Sequence, residues 1–151
     1  MRLSRRLYNI YKKELGELQP ALKEAQAAVH SAREEGDLSE NEEYSTAINR
    51  QKVLEHKITL LEARLNGCDV VEPGFSNNID VGSVVRVTKL NAAGEPVGEP
   101  RTFNVEEVGD TVVMNILSLS SPLGKAIEGR STGKYYLPIR GGLEYYVEHV
   151  E

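Results

Sequence analysis

The chain has 151 residues, a formal net charge of −5, 40% hydrophobic and 27% charged residues, which suits one soluble domain or an extended element with a small domain. The acidic balance argues against a general nucleic-acid-binding protein, and neither a signal peptide nor an apolar stretch of roughly 18 residues for a membrane span is found. The single cysteine, Cys68, excludes an internal disulfide and favours a cytoplasmic location.

The first half of the chain has the periodicity of two long helices. Apolar residues recur in steps of three and four on both sides of an acidic segment, the acidic tip (residues 34–43). Helices with such stripes pack against each other, and a short connection makes them antiparallel. The stripes consist of Leu7, Tyr11, Leu15, Leu18, Leu22, Ala25, Val29 and Ala32, and of Tyr44, Ala47 or Ile48, Gln51, Leu54, Ile58, Leu61, Leu65 and Cys68. We therefore predict an antiparallel coiled-coil hairpin over residues 1–72.

The acidic tip reads EEGDLSENEE and holds six acidic and no basic side chains. Gly36 suits the left-handed residue that ends the first helix. Asp37 or Ser39 is expected to cap the second helix, with acids in its first turn where the helix dipole favours them. Pro20 lies inside the first helix, so we expect a kink or break around residues 16–20.

The second half of the chain changes to the pattern of short strands. A turn-rich linker is predicted at residues 73–80, followed by a small α+β domain over residues 79–151. Gly94, Gly98 and Pro100 are expected to separate the first two strands. The predicted strands are residues 83–89, 102–108, 111–118, 134–139 and 144–150.

One short helix is predicted among these strands. Ser121 is a suitable N-cap, Pro122 suits the first helical position, and Gly129 closes the element.

Two segments of the sequence resemble the signatures of one bacterial family, the Gre transcript-cleavage factors. The segment Ala32–Tyr44, AREEGDLSENEEY, is similar to the family's A-R-x-x-G-D-L-x-E-N-x-E-Y. The segment Ser121–Gly129, SPLGKAIEG, is similar to its S-P-x-G-x-A-L-x-G. The resemblance implies an α+β protein with an N-terminal coiled-coil hairpin and an FKBP-like C-terminal domain that docks on bacterial RNA polymerase.

The resemblance also implies a function for the acidic tip. The tip would enter the secondary channel of the polymerase and stimulate cleavage of backtracked RNA, so the chain is not itself the enzyme. Asp37 and Glu40 are the implied catalytic residues, which would help hold a second Mg²⁺ shared with the polymerase and not bound tightly alone. Ionised carboxylates suit such a hard cation. The implied partners are the polymerase and the nascent RNA 3′ end and template DNA within the elongation complex; we expect a cytoplasmic monomer.

Several other residues are candidates for supporting roles. Asn41 and Glu43 are expected to support the acidic tip, and Tyr44 either packs in the helical stripe or stacks near the RNA end. Arg33 and Arg50 are candidates for a phosphate contact near the RNA 3′ end, or they lie on solvated helix faces. The candidates for polymerase docking are Ser121, Pro122, Leu123 and Gly124.

Three positions depart from the family pattern. Leu22-Lys23 stands where the family usually has Arg-Pro, Ile48 stands where a basic residue is common, and Gly133-Lys134 replaces a frequent Gly-Asp pair. None of them lies in the acidic tip. The moderate net charge favours GreA-like over GreB-like behaviour.

Two other functions remain open from the sequence. One keeps the fold without the cleavage activity, as a channel-blocking regulator or inhibitor. The other is a coiled-coil chaperone or prolyl isomerase, against which the absence of Trp and the presence of only two Phe, Phe75 and Phe103, argue. His30, His56 and His149 have no zinc-ligand spacing.

Overall fold

The computed structural model describes residues 1–36, 41–74, 76–107, 109, 115–138 and 142–151. It contains two compact units, one formed by Leu7–Cys68 and the other by Met1–Arg6 together with Asp69–Glu151. This division differs from the predicted boundaries of 1–72 and 79–151, because the first residues of the chain form a strand of the second unit. Among the described residues, no helix is long and apolar enough to cross a membrane.

The first unit is the predicted hairpin of two helices. Helix α1 spans Arg5–Glu34 and helix α2 spans Glu42–Leu65. Near the start of α1, the Tyr11 hydroxyl accepts a hydrogen bond of 2.8 Å from Arg64 Nη1 near the end of α2, which shows that the helices are antiparallel. The buried side chains of the two helices are Leu7, Tyr11, Ala25, Val29, Ala32, Ala47, Ile58 and Leu61. They all belong to the predicted stripes. The residues that predict the coiled coil are therefore the ones buried between its two helices, which form its seam.

Helix α1 continues through Pro20 without the expected break. The proline ring removes one backbone hydrogen bond and approaches the carbonyl group four residues earlier, which belongs to Gly16. Glycine has the widest backbone freedom, and a Cβ at Gly16 would meet nothing within 4 Å. The space beside Gly16 is therefore open, and the prediction of a break is wrong because α1 is continuous.

The second unit contains a two-stranded and a five-stranded sheet. Strand β1 pairs parallel with β2, and the larger sheet has the order β5-β4-β3-β7-β6. Its strands are antiparallel except for the β4–β5 pair. The elements are β1 (Arg2–Ser4), β2 (Asp69–Val71), β3 (Val84–Leu90), β4 (Pro96–Glu106), β5 (Ile116–Ser118), α3 (Pro122–Ile127), β6 (Gly133–Leu137) and β7 (Leu143–His149).

The core of the second unit lies on one face of the larger sheet, where the inward positions of the strands alternate with outward ones. Its buried residues are Ile79, Val81, Val85, Val87, Val105, Leu117, Leu119, Ile127 and Val147. Together with the helical hairpin, this unit confirms the predicted α+β fold class.

Strand β4 is longer than the sequence predicts. Gly98 and Pro100 lie inside it and not in a turn, because the register between β3 and β4 shifts from Val87↔Arg101 to Lys89↔Val97. Gly98 has a φ of +77°, which suits an irregularity of this kind, and proline is tolerated where the ladder is interrupted. The predicted strand at 111–118 is described only from residue 115, and its strand residues there begin at Ile116.

A buried carboxyl group fastens β1 to the sheet. Glu106, at the end of β4, is fully buried, and its side chain accepts hydrogen bonds from the Ser4 hydroxyl and, at 3.2 Å, from the Ser4 backbone N–H. The guanidinium of Arg6 lies 4.0 Å away. Burial is the largest influence on Glu106 and raises its pKa, although the bonds from Ser4 and the charge of Arg6 oppose the shift.

This raised pKa predicts a pH-dependent contribution to stability. The folded chain holds the Glu106 proton at pH values at which the unfolded chain has released it. The free energy of unfolding contributed by Glu106 is therefore fully present below its ordinary pKa of 4.5 and is lost as the pH rises through the folded value. Glu106→Gln keeps a neutral hydrogen-bonding partner for Ser4 at every pH. As the pH rises above 4.5, the variant should therefore become more stable relative to the wild type. Urea unfolding between about pH 4 and pH 8 measures this difference.

The neighbouring residue offers a control of opposite sign. A hydrogen bond from the Arg2 backbone N–H is the main cause that lowers the pKa of Glu107, so its contribution is present above pH 4.5 and is lost as the pH falls. Glu107→Gln should therefore lose stability relative to the wild type at neutral pH, and the difference should vanish in acid. Parallel pH profiles for the two variants would contradict the opposite pKa shifts of Glu106 and Glu107.

Candidate functional site at the end of the hairpin

The described chain reaches the acidic tip from both helices. Helix α1 ends at Glu34 and is followed by Gly36 with a φ of +128°, a positive value that favours glycine. Helix α2 begins at Glu42. Asp37 and Glu40, which the sequence predicts as catalytic and metal-holding residues, lie outside the described residues. Their roles stay predictions, and the described geometry concerns the residues on either side of them.

Asn41 is the N-cap of α2. Its Oδ1 atom accepts a hydrogen bond of 3.0 Å from the Tyr44 backbone N–H, which satisfies one of the free donors at the start of the helix. The prediction that Asp37 or Ser39 caps this helix is therefore wrong. All of these residue types suit a cap, and the sequence alone does not separate them.

The same side chain connects the two helices. Asn41 Nδ2 donates a hydrogen bond of 2.8 Å to the carbonyl oxygen of Ala32, in the last turn of α1. This carbonyl group also accepts from the Glu35 backbone N–H at 3.2 Å. Asn41 thus joins the two chain segments that lead into and out of residues 37–40.

A second contact lies beside this bond. The Arg33 guanidinium lies over the Tyr44 ring, 6.0 Å from its centroid, at the outer limit of a cation–π contact. Tyr44 is half-buried, which agrees with packing in the helical stripe. The contacts of both residues with RNA remain predictions.

Arg50 is an exposed residue of α2. It lines a groove near the acidic tip that has small residues at its base and acidic residues around it. The groove is lined by Ala28, Ser31, Ala32, Glu35, Glu42, Glu43, Thr46, Ala47 and Arg50. An exposed guanidinium beside several carboxylates is electrostatically favoured there, and its predicted phosphate contact is untested.

Two acidic side chains of this groove, Glu35 just after α1 and Glu43 in α2, influence each other. The nearby Glu43 side chain raises the pKa of Glu35, first through hydrogen bonding between the two carboxyl groups and second through repulsion between their charges. The two side chains thus influence each other near the first turn of α2, and the predicted role of Glu43 in supporting the tip stays a prediction.

The second predicted site surrounds the start of α3. The Ser121 hydroxyl accepts from the Gly124 backbone N–H at 3.1 Å and donates to the Ser118 carbonyl oxygen at 2.6 Å. Ser121 is thus the predicted N-cap, with Pro122 in the first helical turn. A Cβ atom at Gly124 would lie 1.9 Å from the Ser118 carbonyl oxygen, so the close approach of helix and strand requires glycine at this position.

Ser121, Pro122 and Leu123 line a largely apolar pocket between α3 and the sheet, the α3 pocket. Its other lining residues are Val87, Lys89, Val97, Glu99, Arg101, Phe103, Leu117, Leu137, Leu143 and Tyr145. Sequence reasoning missed these sheet residues. Alternation along each strand shows which residues share a face of the sheet. Only the strand order and register, which the sequence does not give, show which of these residues lie beside one another.

The three departures from the family pattern lie in ordinary environments. Leu22 and Ile48 are half-buried in the hairpin, while Lys23 and Lys134 are exposed. Among the residues that the structure describes, no group of three or more His, Cys, Asp or Glu side chains is arranged to hold a metal ion.

An acidic-tipped helical hairpin with a separate α+β unit defines a two-part coiled-coil protein, and comparison with known proteins identifies its family. Residues 1–70 match the family model of GreA and GreB described as "Transcription elongation factor, N-terminal". GreA of Thermosipho africanus is 33% identical over 134 residues, which cover 87% of this chain and 83% of that protein. The chain therefore belongs to the Gre family of transcription elongation factors, and the resemblance seen in its motifs is confirmed.

Other relatives match over a shorter stretch. GreA of Mycoplasmopsis pulmonis is 41% identical over 106 residues, 70% of this chain and 64% of that protein. For GreA of Cereibacter sphaeroides the identity is 34% over 108 residues, 70% of this chain and 66% of the relative. The chain thus covers slightly less than two thirds of the length of these two relatives. A crystal structure of Gfh1, GreA factor homolog 1 of Thermus thermophilus, is 24% identical with a TM-score of 0.47, covering 98% of this chain and 96% of that one.

The Glu35–Glu43 pair gives a testable prediction. Glu43→Gln removes the charge that repels Glu35 and supplies an amide that can donate to its carboxylate. The pKa of Glu35 should therefore fall back toward its ordinary value of 4.5, measured by the pH dependence of its carboxyl ¹³C chemical shift. Glu42→Gln, in the same helical turn, is the control and should leave the Glu35 pKa raised. An unchanged Glu35 titration in Glu43→Gln would show that the two side chains are not paired.

Proposed function

We propose that the chain binds bacterial RNA polymerase in the cytoplasm, places its acidic tip in the secondary channel and stimulates cleavage of backtracked RNA. The observation that carries this proposal is the Asn41 bridge from the start of α2 to the Ala32 carbonyl oxygen. It ties the chain together on both sides of residues 37–40, so that Asp37 and Glu40 stand within four residues of a fixed point. Family membership supports the choice of transcription over a chaperone or isomerase role.

The dimensions of the hairpin support the same function. A helix of 30 residues at about 1.5 Å per residue is about 45 Å long. An arm of this length can reach a catalytic centre that is buried inside a large partner. Outside its seam the arm is exposed and mostly polar, with Val53 and Leu60 as exposed apolar side chains of α2, and a polar surface suits a hydrated channel.

The side chains of Asp37 and Glu40 fit the cation that the family implies. Mg²⁺ prefers carboxylate oxygens and keeps several waters, so two carboxylates suffice when the polymerase supplies the remaining ligands. A second Mg²⁺ held there would stabilise the charge that develops on the oxygens during phosphodiester cleavage. The chain's own part is to carry two ionised carboxylates to the catalytic centre and to hold them at the end of a rigid arm.

The α3 pocket is the proposed docking surface for the polymerase. It is concave and largely apolar, its rim carries the charged residues Lys89, Glu99 and Arg101, and Arg101 lies over Phe103 at 5.2 Å. An apolar centre with a polar rim is typical of protein interfaces. The candidates Ser121, Pro122 and Leu123 form one wall of it.

Removing either tip carboxylate should abolish most of the stimulated cleavage. Asp37→Asn and Glu40→Gln keep the size of each side chain, and loss of a charge near a helix end costs only about 0.3–1 kcal/mol of stability. Cleavage in backtracked elongation complexes should fall by about tenfold for each ~1.4 kcal/mol of lost transition-state stabilisation, and we expect a loss of at least about 100-fold. Raising the Mg²⁺ concentration should partly restore it.

Glu34→Gln is the matched control for this experiment. It removes one negative charge from the exposed last turn of α1. Cleavage should change little if Asp37 and Glu40 act by binding Mg²⁺ and not through the overall negative charge of the tip. Near-wild-type cleavage by both tip variants would refute the assignment of Asp37 and Glu40. A wild-type chain that binds the polymerase and blocks it without cleavage would instead identify a channel inhibitor.

Docking through the α3 pocket can be tested with two exposed valines. Val97 lines the pocket and is 47% exposed, whereas Val150 is 46% exposed and does not line it. Val97→Lys should weaken polymerase binding about tenfold, since a lost interface contact of about 1.4 kcal/mol has that effect. Val150→Lys should bind like the wild type in the same competition assay. Equal affinities for both variants would place the docking surface elsewhere.

A further inference from the structure

Two cationic side chains lie together on the rim of the α3 pocket. Lys89 in β3 and Arg101 in β4 both line it, and both are exposed. Arg101 pairs with Val87, and Lys89 follows Val87 by two residues, so the two cations lie on the same face of neighbouring strands. Neither makes an ion pair within the part of the chain that the structure describes. Their charges are therefore available to a partner.

Phe103 holds Arg101 in place at this rim. The guanidinium of Arg101 lies over the Phe103 ring, 5.2 Å from its centroid, and the ring itself is half-buried against the core. A guanidinium that stacks in this way keeps the N–H groups at its edge free to donate. Their planar fork matches the two oxygens of a carboxylate. Arg101 is thus a donor whose position is set before any partner binds.

The interior of the α3 pocket is apolar. The cavity has a volume of about 550 Å³, and its walls include Leu117, Leu123, Leu137 and Leu143. Aliphatic walls suit an apolar protein side chain, whereas recognition of single-stranded RNA depends on flat aromatic surfaces on which bases stack. An apolar cavity beside two available cations is complementary to a protein segment that carries an apolar side chain next to an acidic one.

We propose that the α3 pocket recognises a polymerase segment in which a carboxylate neighbours an apolar side chain. The apolar side chain enters the cavity, and Arg101 and Lys89 bind the carboxylate at the rim. The inference rests on the proposed docking of this pocket on the polymerase. Glu99 lies on the same rim and repels the carboxylate, so its charge opposes those of the two cations.

Neutral variants of the three rim residues test the charge pattern. Arg101→Gln and Lys89→Gln should each weaken binding to core RNA polymerase about tenfold, since each removes an attractive charge from the interface. Glu99→Gln should strengthen binding about threefold, because it removes the repulsion. The affinities are measured by competition with labelled wild-type chain. Wild-type affinity in both Arg101→Gln and Lys89→Gln would overturn the proposal.

Lys134→Gln is the matched control. Lys134 is exposed in β6 and pairs with Tyr146, which pairs with Thr88 in β3, so it lies on the other face of the sheet from Lys89. This variant should bind like the wild type. Urea unfolding of each variant shows that its fold is intact. A loss as large in Lys134→Gln as in Lys89→Gln would reduce the effect to overall charge and overturn the proposal.

Arg101→Lys separates the shape of the guanidinium from its charge. Lysine keeps the positive charge but lacks the planar fork. Its affinity for core polymerase should therefore lie between those of the wild type and Arg101→Gln. If Arg101→Lys binds no better than Arg101→Gln, charge at this position does not matter and the proposal is overturned.

Chemical coupling identifies the group that Lys89 contacts. A carbodiimide joins an amine to a carboxylate only where the two are in contact. In the wild-type complex with core polymerase, mass spectrometry should find Lys89 joined to an Asp or Glu of the polymerase that has a large apolar residue within about four positions. Lys134 should remain uncoupled. A complex in which Lys89 is not coupled, or is coupled where no apolar residue is near, would overturn the proposal.

The same assays separate this inference from the proposed function. Core polymerase carries no nucleic acid, so losses that appear only in elongation complexes would assign the two cations to nucleic acid and overturn the inference. A wild-type chain that does not bind the polymerase would overturn the proposed function as well. Weak binding by Val97→Lys together with wild-type affinity in Arg101→Gln and Lys89→Gln would keep the docking surface and overturn the inference alone.

Discussion

A hairpin of two helices buries only one narrow stripe of each, and this constraint governs the first unit. Five side chains of α1 and three of α2 are buried. Apolar contacts along such a seam are non-directional, so they bring the helices together without fixing how far one slides along the other. Polar bonds at the two ends supply that register, through Arg64 and Tyr11 at the base and through Asn41 and Ala32 at the tip.

The second unit uses the same kind of bond at its own predicted site. Ser121 caps α3 by accepting from the Gly124 N–H and donates to the Ser118 carbonyl oxygen. Asn41 makes the corresponding two bonds at the start of α2. Its amide oxygen accepts from the Tyr44 N–H and its amide nitrogen donates to the Ala32 carbonyl oxygen, whereas Ser121 uses one hydroxyl for both bonds. Both family signatures therefore contain a cap that ties the start of a helix to the preceding chain. The motifs preserve a local backbone arrangement as well as the side chains that they expose.

Periodicity and the motifs predicted most of the fold and the location of the acidic tip, while the failures have a shared cause. Strands β1 and β2 have three residues each and pair across 67 positions, so no local pattern indicates them. The cap of α2 was misplaced because Asp37, Ser39 and Asn41 have similar local preferences, and the distant Ala32 carbonyl group decides between them. In β4, a register shift accommodates Gly98 and Pro100, which locally favour a turn.

The charges of the acidic tip are only partly explained by helix stability. Glu42 and Glu43 lie at the N-terminal end of α2, where the dipole favours anions, and Arg33 suits the C-terminal end of α1. Glu34 and Glu35 lie at that same C-terminal end, where the dipole disfavours them. Hydrogen bonding to Glu43 and, second, repulsion from its charge raise the pKa of Glu35, and like charges so close to each other oppose local stability when both are ionised. Residues that oppose local stability are typical of functional sites. A negative field of this kind attracts cations, so it serves the proposed Mg²⁺ binding by Asp37 and Glu40, while the Asn41 bridge holds together the helix ends that this repulsion would separate.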